Sequence, residues 1–512
     1  MDGYVKTIWG KIKKEHKIAF LSAWITGLII HIPVYLMDVP NHDGLASMYF
    51  DQNMITSGRW LLGIACSVSS YYTLPWLIGL LSLLWVSVAA VLLTELLRIR
   101  SRVNICLISM LLVSFPALAS TYAYIFTADG YMLGLALAIA SVLCTDRLKY
   151  GYIWGGICLA CSLGIYQSYL PFAMILCLYM VLGKLLKPAG PERNHSRWME
   201  ILQFPLMGVI GFALYEGILH VLLLIQGKEL DTYQGINTAL EMPSLSFSAK
   251  IAGLYRDFFA FTLKGQVLYH NVVSAVLLLL ILLMFLFGAV GRCLQKGYQK
   301  QPLNYVWILL FIAIYPICAN IVLLISPDVN YHLLMRYQWV LLLILMVAIC
   351  DKKEDTADLK GNLWKVIFSC ALLCLVLFYG VTDNIAYSNL QKKYEKTYSY
   401  CLRLADRMEQ TPGYYQGIPV AMIGVVSTKA YPQTDITGDV TSNMIGMTGD
   451  HLLYTAKNYQ AFFKHYLGIT MNIVDDDAME TIYYSDAYQS LDTFPGANAM
   501  KVVDGILYIK LE

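Results

Sequence analysis

Charge is scarce in this chain: Asp, Glu, Lys and Arg make up 14% of its 512 residues, against 58% hydrophobic residues. A soluble globular domain carries about a quarter charged residues, so that class is excluded. The formal net charge of +2 leaves no basic excess, which gives nucleic acid no surface to bind. Most of the 12 cysteines, such as Cys106, Cys144, Cys177 and Cys370, lie in apolar runs where the thiol acts as a small hydrophobe, and no disulfide framework is visible. Cys158-Leu159-Ala160-Cys161 has the spacing of a redox or metal pair but lacks a second pair. No small-residue cleavage site follows the first apolar run, which therefore reads as an anchor and not a cleavable signal.

What the chain does have is apolar runs of membrane length, for which about 20 helical residues are needed. Spans are predicted near 17–37, 72–96, 103–124, 130–146, 152–167, 169–186, 201–225, 271–290, 305–325, 333–350 and 364–382. The fifth and sixth are joined by Tyr166-Gln167-Ser168-Tyr169-Leu170-Pro171, which fits a short outward turn or the tip of a broken helix; either keeps the parity. Basic residues gather in alternate loops, among them Lys6, Lys11, Lys13, Arg98, Arg100, Arg102, Arg147, Lys187, Arg193, Arg292 and Lys352. The positive-inside rule then predicts a multi-pass membrane protein with a cytoplasmic N-terminus. Eleven spans place loops 38–71, 226–270 and 326–332, and everything after 382, outside.

Two parts are expected: a transmembrane domain over 1–382, and a small extracytoplasmic α/β domain over 383–512. In the second, 384–410 reads as an amphipathic helix, Ile418 to Val425 as a buried strand, and 452–467 and 478–490 as helices. Asp504-Gly505 sits between two strand-like runs, 499–503 and 506–511, as the turn of a hairpin.

Ionisable residues cluster where the first span ends. Asp38, His42 and Asp43 precede Arg59, and ionisable groups beside hydrocarbon mark a site by default. Transport carboxylates sit near the midplane on broken helices; a carboxylate beyond a span's end suits chemistry at the surface. There it can take a proton from an acceptor alcohol while a cation steadies a phosphate leaving group. By parity, Asp129, Tyr166 and Gln167, and Asp328, His332 and Arg336 lie on the same face. Guanidinium is suited to bidentate phosphate recognition.

Several short motifs recur in order: Asn41-His42-Asp43-Gly44-Leu45, Ser57-Gly58-Arg59-Trp60, Phe126-Thr127-Ala128-Asp129-Gly130-Tyr131, Gly164-Ile165-Tyr166-Gln167, Phe494-Pro495-Gly496-Ala497 and Val503-Asp504-Gly505. In these the chain resembles the polytopic glucosyltransferases of the GtrII type, relatives of the GT-C class. The resemblance implies a GT-C-like bundle and a hexosyltransferase that moves glucose, or a related sugar, from a polyprenyl-phosphate donor to a cell-surface glycan. It implies Asp43 as general base, Arg59 or Arg336 on the leaving phosphate, inversion at the anomeric carbon, and Asp38, His42, Asp129, Tyr166, Gln167 and His332 as further substrate contacts. Some members carry two adjacent acids where this chain has His42-Asp43, so Asp43 is the matching acid and Asp38 or Asp51 a possible helper. No cofactor is assigned; a divalent cation, Mg2+ or Mn2+, stays open.

Plainer readings stand beside these. Asp43 also fits the N-cap of a helix over 44–56, and Asp129 the start of the fourth span. Arg59 and Arg336 fit headgroup anchors. Tyr166 and Gln167 fit bundle packing, and His31 and His220 hydrogen-bonded positions on apolar spans. Asp475-Asp476-Asp477 complements the dipole of the helix that follows, with a metal site as the alternative. The run from Lys250 to Lys264, with Tyr255, Phe258, Phe259 and Phe261, reads as an amphipathic piece lying on the bilayer, or guiding a lipid phosphate. A lipid-linked-glycan flippase or a non-catalytic envelope assembly protein shares the topology, although no inverted repeat is visible.

Overall fold

The computed structural model describes residues 12–47, 54–69, 74–186, 191–231, 247–265, 267–298, 301–326, 329–351, 363–424, 444 and 452–511. Among them, nine helices are long and apolar enough to cross a membrane, beginning with Lys14–Leu36 and ending with Leu363–Glu409. A bent pair, Arg102–Ser114 and Pro116–Tyr122, makes a tenth if the two halves count as one span. The remaining predicted span is the helix Gly151–Ile165, whose 15 residues rise only about 22 Å, short of a bilayer core of about 30 Å. The chain is a membrane protein, mainly α-helical, with a small α/β region at its C-terminal end.

The bend at Phe115 follows from Pro116, which disfavours helical backbone in the residue before it; Phe115 is extended at φ −70° and ψ 129°. The carbonyls left without partners are satisfied from other helices. His31 Nε2 donates to Val113 O at 2.7 Å, the Tyr337 hydroxyl donates to Leu112 O, and the Tyr387 hydroxyl donates to His31 Nδ1 at 2.6 Å. His31 is thus a hydrogen-bonded residue inside the bundle.

Ion pairs gather the basic loops at one end. Lys13 meets Glu95 at 2.9 Å, and Arg98 and Lys184 both meet Asp146 at 3.0 Å. The Asp351 carboxylate accepts from Arg100 N at 2.9 Å, and Arg292 donates to Asp351 O at 2.7 Å. Lys184 also settles the path at 151–185: the chain leaves this end at Gly151, turns at the extended Tyr166 and returns.

The helix Leu363–Glu409 has 47 residues, about 70 Å, and runs without a break through the predicted boundary at 382/383. The change from apolar to polar sequence there is a change of surroundings along one helix. Along this helix the bundle core extends to Leu390 and a second core starts at Tyr400. The second core lies under a four-stranded sheet of β1 (Pro419–Ile423), β2 (Asn472–Ile473), β3 (Met500–Val503) and β4 (Ile506–Lys510), in the order β2-β1-β4-β3. β1 pairs in parallel with β2 and β4, while β3 and β4 form an antiparallel hairpin. Asp504 and Gly505 carry positive φ of 50° and 78°, as a two-residue hairpin turn requires. Asp475 caps the helix Asp476–Tyr483, its carboxylate accepting from Ala478 N at 2.8 Å.

Candidate active site

Opposite the basic end, the short motifs at 41–45, 57–60, 126–131 and 164–167 fold against one another. The segment Ser57-Gly58-Arg59-Trp60 follows a single 3-10 turn, with Gly58 in the left-handed region at φ 77°. A Cβ at Gly58 would lie 2.5 Å from both Gln167 Nε2 and the Tyr215 hydroxyl, so glycine is needed for space as well as for conformation. Gln167 Nε2 donates to Ser57 O at 3.1 Å and to the Tyr215 hydroxyl at 3.0 Å. Trp60 covers Gly164, and Leu61 N donates to Gly164 O at 2.7 Å. The first loop and the turn at 164–167 are therefore one packed unit.

Arg59 lies on a pair of stacked tyrosines. Its guanidinium carbon is 5.2 Å from the Tyr166 ring centroid, and Nη1 donates to the Tyr131 hydroxyl at 3.3 Å. The rings of Tyr131 and Tyr166 stack at 4.4 Å and 9°. Cation–π attraction of this kind contributes roughly 0.5–2 kcal/mol and fixes the direction of the side chain.

Asp43 sits in the six-residue helix His42–Ser47. The cap is Asn41: its Oδ1 accepts from Gly44 N at 2.7 Å, and its Nδ2 donates to Ala123 O at 2.6 Å. Asp43 is one residue inside the helix start, with its side chain 57% exposed and a carboxylate oxygen 3.5 Å from His42 Nε2. Capping thus does not account for Asp43. Burial pushes the His42 imidazole below its ordinary value, Asp43 pulls it back up, and the charge of the buried Lys393 pushes it down again.

Asp129 is buried in the first turn of the helix Ala128–Arg147, accepting from Ser69 Oγ at 2.6 Å and from Gly130 N at 2.9 Å. It anchors the stretch that follows Arg59. Asp38 lies within electrostatic reach of Tyr394 on the long helix. Asp51 and Asp328 fall outside the described residues.

Arg336 is engaged by another partner. Its guanidinium meets both oxygens of Asp257, at 2.6 and 3.0 Å, and Nε donates to Tyr331 O at 2.9 Å. The rings of Tyr331, Phe261 and Trp339 surround it at 3.9, 4.3 and 5.3 Å. His332, beside this cage, is held below its ordinary value first by burial and then by the Arg336 charge. Asp257 was hidden in the sequence among the basic and aromatic residues of 250–264. In the helix Phe247–Lys264, Phe258 and Thr262 face Trp339, while Phe259 and Leu263 stay exposed. The amphipathic reading holds, with Asp257 on the inner side.

The two halves of the site touch. The turn Gln167–Tyr169 packs on the segment Leu333–Trp339, Gly44 lies over Phe126, and the same 126–131 stretch supplies Tyr131 to Arg59. An exposed carboxylate, a neutral-leaning imidazole and an arginine on tyrosines can move a proton and hold a phosphate. The model of the glucosyl transferase GtrII family matches residues 33–345, more than half of the chain. The chain belongs to the GtrII glucosyltransferase family. No curated protein and no solved structure matches it. In GtrII terms, the matched interval contains every candidate residue from Asp38 to Arg336 and leaves out the long helix and the sheet. Among the described residues, no three His, Cys, Asp or Glu side chains of this GtrII chain gather as a metal set.

Proposed function

We propose that this GtrII protein transfers a glucosyl or related hexosyl group from a polyprenyl-phosphate donor to a cell-surface glycan at the outer face of the cytoplasmic membrane. The orientation rests on the positive-inside rule, which assigns the end carrying Lys13, Arg98, Arg147 and Arg292 to the cytoplasm. The terminal domain and the Asp43 helix then lie outside. In this reading 1–382 forms a GT-C-like transferase domain and 383–512 an extracytoplasmic one.

The chemistry is a single displacement. Asp43 takes the proton of an acceptor hydroxyl, the oxygen attacks the anomeric carbon, and the bond from that carbon to the phosphate oxygen breaks. The donor phosphodiester carries one negative charge and leaves as a phosphomonoester with two, so a cation at the leaving group favours the transition state over the ground state. Arg59 takes that role, with its guanidinium over the Tyr166 ring and bonded to the Tyr131 hydroxyl. Tyr166 and Tyr131 aim Arg59, and Gln167 holds the backbone of Ser57 beside it. His42, half-buried, lies on the acceptor side of Asp43. One displacement inverts the anomeric configuration.

The observation that carries this reading is the exposed Asp43 carboxylate on a helix whose cap is Asn41. Transfer from radiolabelled polyprenyl-phosphate-glucose by membranes containing the wild-type chain, and its loss in Asp43→Asn at equal expression, is the expected result. No transfer by folded wild-type protein sinks the reading in favour of transport or assembly.

A further inference from the structure

A base at Asp43 needs an acceptor hydroxyl within hydrogen-bond reach, so the acceptor must rest on something beside it. The surface beside it comes from outside the family-matched interval. The ring of Tyr454 meets that of His42 edge-on, with centroids 4.7 Å apart at 71°, and Tyr454 is 41% exposed. Single exposed aromatics are ordinary on a protein surface and need no function. Tyr398, Tyr415, Tyr483 and Tyr484 are of that kind here. Tyr454 differs in being fixed relative to the carboxylate.

The fixing is done by Asn458. Its Oδ1 accepts from Tyr454 N at 3.1 Å and from Thr455 N at 3.3 Å, and its own N–H donates to Thr455 Oγ1 at 3.2 Å, closing a capping box. Its Nδ2 donates to His42 O at 3.3 Å. One side chain therefore bonds the backbone of Tyr454 and the backbone next to Asp43. Leu45, two residues on, is buried in the core of the terminal domain. The short helix is held from the membrane side by Asn41 and from the domain side by Asn458 and Leu45, with Asp43 exposed between them. An aromatic face kept at a set place beside an acid suits a pyranose, which has an apolar C–H face and hydroxyls at its edge; tyrosine offers the matching apolar face with a polar tip.

We propose that Tyr454 is the platform on which a hexopyranose ring of the acceptor stacks by its C–H face, and that Asn458 is the positioning residue that keeps this platform in register with Asp43. This deepens the transferase reading and rests on Asp43 being its base. The terminal domain thereby takes part in choosing the acceptor.

The test uses the full-length protein in lipid nanodiscs, with methyl β-D-glucopyranoside, methyl α-D-galactopyranoside and methyl α-L-rhamnopyranoside as probes at millimolar concentration. Saturation-transfer NMR reads which ring protons approach the protein. Wild type and Tyr454→Trp should saturate the protons of one ring face of at least one probe, and Tyr454→Ala should lose the effect about tenfold. Tyr454→Leu keeps an apolar side chain over His42, so it serves where alanine fails to fold and should show the same loss. Asn458→Ala should raise the KM for the best-saturated probe as acceptor and lower kcat together, whereas a merely structural asparagine lowers only the amount of folded enzyme. Equal saturation in Tyr454→Leu and wild type, or none in wild type, overturns the platform. Saturation that depends on Tyr454, in a wild-type protein that transfers no sugar, overturns the transferase reading and leaves the platform standing. Transfer that depends on Asp43 with an unchanged acceptor KM in Tyr454→Leu does the reverse.

Discussion

The guanidinium of Arg336 and the carboxylate of Asp257 face each other through two parallel hydrogen bonds, at 2.6 and 3.0 Å. The pair joins the helix Phe247–Lys264 to the segment Leu333–Trp339, across 79 residues of sequence. Arg336 is nearly buried while Asp257 keeps part of its side chain in contact with solvent. Removing the acid strands a buried cation, which costs about 3 kcal/mol when one partner of a buried pair is lost, and less here because Asp257 is partly exposed. Asp257→Ala should therefore lower the thermal midpoint clearly, and Asp257→Ala with Arg336→Met should recover much of the loss. A double variant no better than the single one would show that the two groups do not act as a pair.

Gly58 makes a second sharp prediction. Its left-handed backbone and the closeness of Gln167 and Tyr215 both oppose a Cβ. Gly58→Ala should cost about 1–2 kcal/mol for the conformation, with more for displacing Gln167. Because Arg59 follows directly, sugar transfer should fall further than the quantity of folded protein does. Equal losses in transfer and in folded protein would detach Arg59 from the chemistry.

Asn41 separates capping from placement. Asn41→Asp keeps the oxygen that accepts from Gly44 N but loses the donor to Ala123 O, while Asn41→Ala loses both. The alanine variant should lose about 1 kcal/mol from the cap. The aspartate variant keeps the cap but turns a buried carboxylate towards the Ala123 carbonyl, so it should also lose stability, and it should transfer sugar more slowly because the Asp43 helix is freed from the bundle. Hydrogen exchange over 42–47 checks this: unchanged protection in the aspartate variant contradicts the account.

His42 predicts a pH dependence. Its folded value lies below its ordinary one because burial outweighs the pull of Asp43. The unfolded chain therefore binds the proton more readily, and stability is lost as pH falls from the ordinary value, about 6.5, towards the folded one. Between pH 7 and 5.5 the thermal midpoint of wild type should fall more than that of His42→Gln. The opposite order would mean that Asp43 dominates the imidazole and that the folded value is raised.

The fold and the site were legible to different depths, for physical reasons. Hydropathy is local and strong, so each predicted span coincides with helix, and the hairpin at Asp504-Gly505 followed from turn chemistry. Span length is less local: Gly151–Ile165 is apolar throughout yet short. The boundary at 382/383 came from a change in composition, which sequence cannot tell from one helix passing between two environments. Within the site, the order of the short motifs was visible, but their mutual packing was not. Gln167 on Ser57, Trp60 on Gly164 and Asn458 on His42 join residues about 100 to 400 positions apart, and no periodicity relates them. Asn41 and Asp43 both belong to the favoured cap class, so composition alone does not choose between them. Arg336 looked available because its partner lay in a loop that read as basic.

The most direct measurement remains glucose transfer from radiolabelled polyprenyl-phosphate-glucose, with wild type and Asp43→Asn in matched membranes and folding checked by thermal midpoint. Wild type should transfer glucose, and Asp43→Asn should lose about a hundredfold or more, of the order of general-base contributions, at an unchanged midpoint. Near-normal turnover in Asp43→Asn would contradict this and remove Asp43 from the mechanism.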